Sequence, residues 1–217
     1  MRVTTTLLLL LATSLTAADN GRMSESERTF LVDQLEQTKK SVLESIAGLT
    51  PAQWTFKAGP DRWSVQQCAE HIVLAEGYIF AGSQKLLETP SVPRPEKSNA
   101  TVDHKLVAQV TDRSKKLSAP EPLVPSGKFA TPEEAAKAFT EARDKSIAYA
   151  KTTDAELRVH VGAGPAGPMD AYQILLLMAS HSARHTAQIR EVEADPNFPK
   201  ATADLPDEGG HRRSGGL

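Results

Sequence analysis

Apolar residues recur at helical spacing through most of the chain. Over 24–47, Phe30, Leu31, Leu35, Val42, Leu43 and Ile46 fall on one side of a 3.6-residue helix, and Gly48 supplies its stop. Val65, Cys68, Ala69, His71, Ile72, Ala75 and Ile79 do the same over 64–88, where Ser64 and Gln67 have the spacing of a capping box. A shorter helix is predicted over 102–113. Thr131-Pro132-Glu133-Glu134 combines a cap, a proline in the first helical position and early carboxylates, so a third long helix runs from there to about residue 150. The fourth starts near Asp170 and stops at Asp195-Pro196. Its run Ile174-Leu175-Leu176-Leu177-Met178 is too apolar for an exposed strut. Thr50-Pro51-Ala52-Gln53-Trp54 predicts one short helical turn, and Gly162 to Pro168 reads as a loop. Only 158–161 looks extended, and one short segment makes no sheet.

The pattern predicts an all-α fold: a four-helix bundle with long crossover linkers and short extra helices. No internal repeat is visible. Of the 217 residues, those at 24–197 form the expected domain. Residues 1–18 begin with Arg2, pass through Leu7 to Ala12 and end in small residues, the pattern of a signal peptide cleaved near Ala17 or Ala18. That places the protein outside the cytoplasm, in the periplasm or secreted. The apolar run is shorter than the roughly 20 residues that span a bilayer, so no stable membrane anchor is expected. Residues 198–217 are polar and glycine-rich at their end and read as a disordered tail.

Composition narrows the partners. With 25 Lys+Arg against 27 Asp+Glu there is no basic field for nucleic acid. A single cysteine, Cys68, forbids an intramolecular disulfide framework. A small-molecule substrate or ligand remains the expected partner, and a homodimer is allowed.

The chemistry concentrates in three histidines. His181 and His185 are four apart on the apolar last helix, which puts them on one face with Cβ atoms roughly 5–6 Å apart. Such a pair also occurs as surface decoration or bonded to backbone. His71, on a second mainly apolar helix, favours a shared divalent metal if the two helices pack side by side. Three neutral imidazoles leave coordination open for water and suit zinc or nickel, with cobalt and iron also compatible.

Other polar residues have smaller parts. Cys68 lies three residues from His71 but reads first as a packed core thiol. Glu70, Glu76 and Gln188 are candidates to orient a histidine, with Glu76 read foremost as a solvated carboxylate. Ser182 stands where a zinc protease helix would carry its glutamate, so His-Glu-x-x-His chemistry is not supported. His104, His160 and His211 are read as non-ligands, and Trp54 and Trp63 as packing anchors.

The segment Trp63-Ser64-Val65-Gln66-Gln67-Cys68-Ala69-Glu70-His71, followed much later by His181-Ser182-Ala183-Arg184-His185, resembles the DinB-like superfamily over about 28–195. The resemblance implies a four-helix bundle in which His71, His181 and His185 bind a divalent metal. It also implies relatives among thiol-using transferases and isomerases, many of unknown activity. The expected function is thus an exported metal-dependent hydrolase or transferase acting on a small molecule. Hydrolysis suits export better than transfer to cytosolic thiols. The alternatives are a non-catalytic metal- or ligand-binding protein of the cell envelope, and a helical interaction module with a degenerate site. The catalytic residues stay unassigned.

Overall fold

The computed structural model describes residues 21–200 apart from Lys97 and Ala166. Its long helices are α1 (Glu25–Ile46), α3 (Val65–Leu86), α5 (Pro132–Thr152) and α6 (Ala171–Glu193), with short α2 (Pro51–Thr55) and medium α4 (Ala100–Thr111) between them. A single 3-10 turn, Glu121–Leu123, interrupts the linker from α4 to α5.

Local chemistry sets these boundaries. Ser24, Thr50, Ser64 and Asp170 each accept from the N–H three residues on, and Glu27, Gln53, Gln67 and Gln173 reach back to the cap. These are reciprocal capping boxes, which satisfy two orphan donors at each helix start. Thr131 caps α5 ahead of Pro132.

The helices form a ring in which α1 and α3 are each flanked by α5 and α6, while α4 packs on the outer side of α6. Helix α6 is therefore held by three neighbours. Every residue from Ala171 to Ser180 is buried, as its apolar circumference requires. Burial of each large side chain contributes about 1.5–3 kcal/mol. The apolar core divides into two clusters along the bundle. Leu31, Leu35, Leu175, Leu176 and Met178 belong to one; Val42, Ile46, Trp54, Ile72, Phe139 and Ile189 belong to the other.

A polar layer lies between them on each of the four long helices. Arg143 of α5, wholly buried, donates to both oxygens of Glu76 on α3 at 2.8 and 2.5 Å. It also donates to the Leu35 carbonyl and Thr38 hydroxyl of α1 and to the Ser182 hydroxyl of α6. One guanidinium thus joins all four long helices. Glu76 is accordingly a buried ion-pair partner and not the solvated carboxylate expected from sequence, because the facing α5 carries its counter-charge into the core.

Toward the start of α6, Arg158 makes a second buried hub. It pairs with Glu27, Asp103 and Asp170 at 2.7, 2.5 and 3.1 Å and lies 3.7 Å from the Tyr172 ring centre. Asp170 also accepts from Ser98, so this hub ties α1, α4 and the chain before α4 to the cap of α6.

The segment read as a loop over 162–168 is an antiparallel hairpin, β1 (Val161–Gly164) and β2 (Gly167–Asp170), paired from Val161 with Asp170 to Gly164 with Gly167. Gly167 takes φ 102°, which glycine adopts without steric cost. Gly162 passes so close to Leu86 that a Cβ there would stand 2.4 Å from its Cδ2. The hairpin's last residue, Asp170, is the α6 cap, so the hairpin delivers the chain directly into the central helix.

At the other end, order continues past the 197 boundary. Phe198 packs edge-on against Phe56 at 5.5 Å, and Gln53 donates to the Pro199 carbonyl. An aromatic anchor and a backbone bond hold these two residues to α2. The signal-peptide reading over 1–18 and the remainder of the tail lie outside the described residues.

Candidate metal centre

Helix α3 presents His71 and α6 presents His181 and His185 at the same level of the bundle, beside the Arg143 layer. The i, i+4 spacing aligns the α6 pair, with ring centres 4.5 Å apart. The His71 ring centre lies 4.8 Å from that of His181 and 4.4 Å from that of His185. One nitrogen from each ring falls within 4.8 Å of the others. His71 and His185 are buried and His181 is partly exposed.

The hydrogen bonds at the backs of the rings favour metal binding. His71 Nδ1 lies 2.7 Å from the Leu123 carbonyl, and His185 Nδ1 lies 2.9 Å from Gln188 Oε1. Each oxygen accepts a proton from Nδ1, which leaves Nε2 with its lone pair toward the cluster. The Nε2 atoms of His71 and His181 face each other at 3.1 Å. Two nitrogens on one tetrahedral zinc stand roughly 3.3 Å apart. His181 Nδ1 is buried with no hydrogen-bond partner among the described residues. The donor set therefore fits a divalent ion such as zinc.

Electrostatics keep the rings in their ligating form. Burial holds all three histidines below the ordinary imidazole range. His181 is lowered further by His71 and Arg184, and His185 by its two fellow histidines. Neutral imidazole is the form that donates to a metal. Trp63 closes one flank, its ring centre 4.8 Å from His71 and 6.0 Å from His185. Trp54, wholly buried, donates to the Phe129 carbonyl, as befits a packing anchor.

The remaining candidates separate cleanly. Gln188 orients His185, in turn receiving Arg113 Nη1 at 3.3 Å. Glu70 touches the α4–α5 linker at Ser126, Gly127 and Lys128. Cys68 lies in the apolar cluster, and burial pushes its thiol up to about 12. His104 packs at a tilt against Phe30, and His160 bonds the Thr89 carbonyl.

Sequence reasoning missed Arg113, Arg143, Arg184 and the Leu123 carbonyl. Arg143 was traceable, because Phe139, Arg143, Ile147 and Ala150 make one buried stripe at helical spacing. A backbone carbonyl from a distant linker leaves no such trace.

Comparison with known proteins agrees with this architecture. No curated protein matches the chain. Among solved structures, YfiT from Bacillus subtilis is similar, with a TM-score of 0.54 at 18% identity over 79% of this chain and 88% of its own. It is described as a probable metal-dependent hydrolase with an unusual four-helix bundle topology. The DinB superfamily profile matches residues 34–189, a span containing all three histidines, and the chain belongs to that superfamily.

Proposed function

We propose that the protein is an exported, metal-dependent hydrolase acting on a small molecule, with zinc or nickel held by His71, His181 and His185. The observation that carries this reading is the convergence of three imidazole donors, two of them locked with Nε2 inward. The description of YfiT supports the reaction class, and the charged start, apolar run and small residues over 1–18 support export. When bound, such an ion supplies Lewis acidity and acidifies water.

The chain's own contribution is positional. Leu123 and Gln188 hold two rings, Trp63 excludes water from one flank, and burial keeps the imidazoles unprotonated. A specific observation favours a second reading, transfer to a small thiol. Glu70 and Glu76, the acidic residues nearest His71 in sequence, are fully engaged by the linker and by Arg143. A thiol made acidic by the ion needs no carboxylate base.

The test is metal content of the purified untagged protein beside His181→Ala, followed by ester, amide and thiol-conjugation panels. About one ion per chain, lost in the variant, with hydrolysis dependent on it, supports the proposal. A loaded protein active only with thiols selects the second reading. A loaded protein inactive on all panels, with no exchangeable water, selects a non-catalytic binding protein.

A further inference from the structure

The linker over 112–131 serves two of the three histidines at once. It supplies the Leu123 carbonyl to His71, and Arg113 to Gln188, which holds His185. It is fastened by residues that adjoin the histidines in sequence. Arg184, next to His185, donates to the carbonyls of Val110, Asp112 and Lys115 around the linker's start. Glu70, next to His71, is buried and grips its middle. Oε1 accepts the Ser126 N–H at 2.8 Å and hydroxyl at 3.0 Å, and Oε2 accepts the N–H groups of Gly127 at 2.7 Å and Lys128 at 3.0 Å. Gly127 adopts φ 87°, and three successive N–H groups converge there on one carboxylate.

This arrangement costs desolvation, which by itself raises the Glu70 pKa. The N–H groups of Ser126, Gly127 and Lys128 outweigh it and hold the carboxyl below its ordinary range. Consecutive helical residues point about 100° apart. One position therefore faces the cluster while its neighbour faces the strap that supports the cluster.

We propose that Glu70 is a positioning residue for the metal centre. Its hold on 126–128 keeps the Leu123 carbonyl against His71 Nδ1, so that the ring stays in the Nδ1–H tautomer with Nε2 toward the ion. The inference rests on the metal reading above and adds to it the residue that prepares one ligand before the ion arrives.

Glu70→Gln tests it by replacing one acceptor oxygen with a donor facing donors. The control is Leu31→Ala, a truncation in the other apolar cluster, which includes no linker residue and no neighbour of His71 in sequence and so lowers stability elsewhere. In the metal-free protein above pH 7, nitrogen NMR of the His71 ring is expected to show loss of the Nδ1–H tautomer in Glu70→Gln alone. Zinc affinity by chelator competition is expected to weaken about 10–100-fold in Glu70→Gln and little in Leu31→Ala. An unchanged tautomer, with affinity equal to the control's, overturns the proposal. The wild-type protein gives an independent reading should the variant not fold. Because coupling is reciprocal, saturating zinc should slow amide exchange at Gly127 and Lys128 roughly tenfold. Unchanged exchange in zinc-loaded protein also overturns the proposal. If the wild type binds no zinc, the metal reading fails, and the metal-free tautomer measurement still decides what Glu70 does.

Discussion

Arg143 and Glu76 meet in the middle of the bundle as a doubly bonded ion pair, with side chains 0% and 1% exposed. Removing one partner leaves a buried charge without compensation, at a cost of about 3–5 kcal/mol. Arg143→Ala and Glu76→Ala are each expected to lose that much in urea unfolding. Replacing both by apolar residues of similar volume should recover most of the loss. A double-mutant cycle measures the coupling, and additive losses would show that the pair does not act as a unit.

Metal binding should appear as stability. An ion that binds only the folded chain contributes about 2.7 kcal/mol at a hundred times its dissociation constant. Zinc is expected to raise the wild-type melting temperature and a chelator to reverse the rise. His181→Ala should respond to neither, since two donors remain where three converged. Differential scanning calorimetry with and without zinc makes the comparison.

Acid should weaken the fold through the same residues. Each histidine binds its proton less tightly in the folded chain than in the unfolded one, where the pKa is about 6.5. As pH falls below that value the unfolded chain takes up protons that the folded chain refuses, so stability is complete above 6.5 and declines beneath it. For His181 the decline continues to about 3. Each such histidine contributes a slope of about 1.4 kcal/mol per pH unit. Metal-free His185→Gln is expected to show a shallower slope than wild type between pH 6 and 5 in denaturant titrations.

Cys68 should be chemically silent. Burial keeps its thiol protonated, and thiolate is the reactive form. Thiol reagents are expected to label it only as the protein unfolds, so that labelling rate tracks opening of the apolar cluster. Cys68→Ser should keep its metal while losing about 1–3 kcal/mol through an unpaired buried hydroxyl. A large fall in metal content would place the sulfur at the centre after all.

What the sequence disclosed was local. The caps at Thr50, Ser64 and Thr131 were legible because each needs only residues within one helical turn. The His181–His185 pair was legible for the same reason. The burial of Glu76 was not, because its partner Arg143 lies 67 positions away and only packing unites them. Arg158 escaped likewise, its carboxylates being drawn from α1, α4 and the α6 cap. The hairpin was obscured by its own composition: glycine and proline mark turns, and here they also line a ribbon pressed against Leu86.

Among the described residues, helix α6 is both the most enclosed element and the last in chain order. A chain that emerges from its N-terminus must therefore hold the inner faces of α1, α3 and α5 open until α6 arrives. His71 waits with them, and it has no companion until His181 is seated, 110 positions later. The ion-binding cluster consequently reports completed assembly. A nascent or truncated chain lacking α6 would expose a sticky interior and hold no three-histidine trap, which makes metal retention a natural assay for whether a newly made molecule has finished folding.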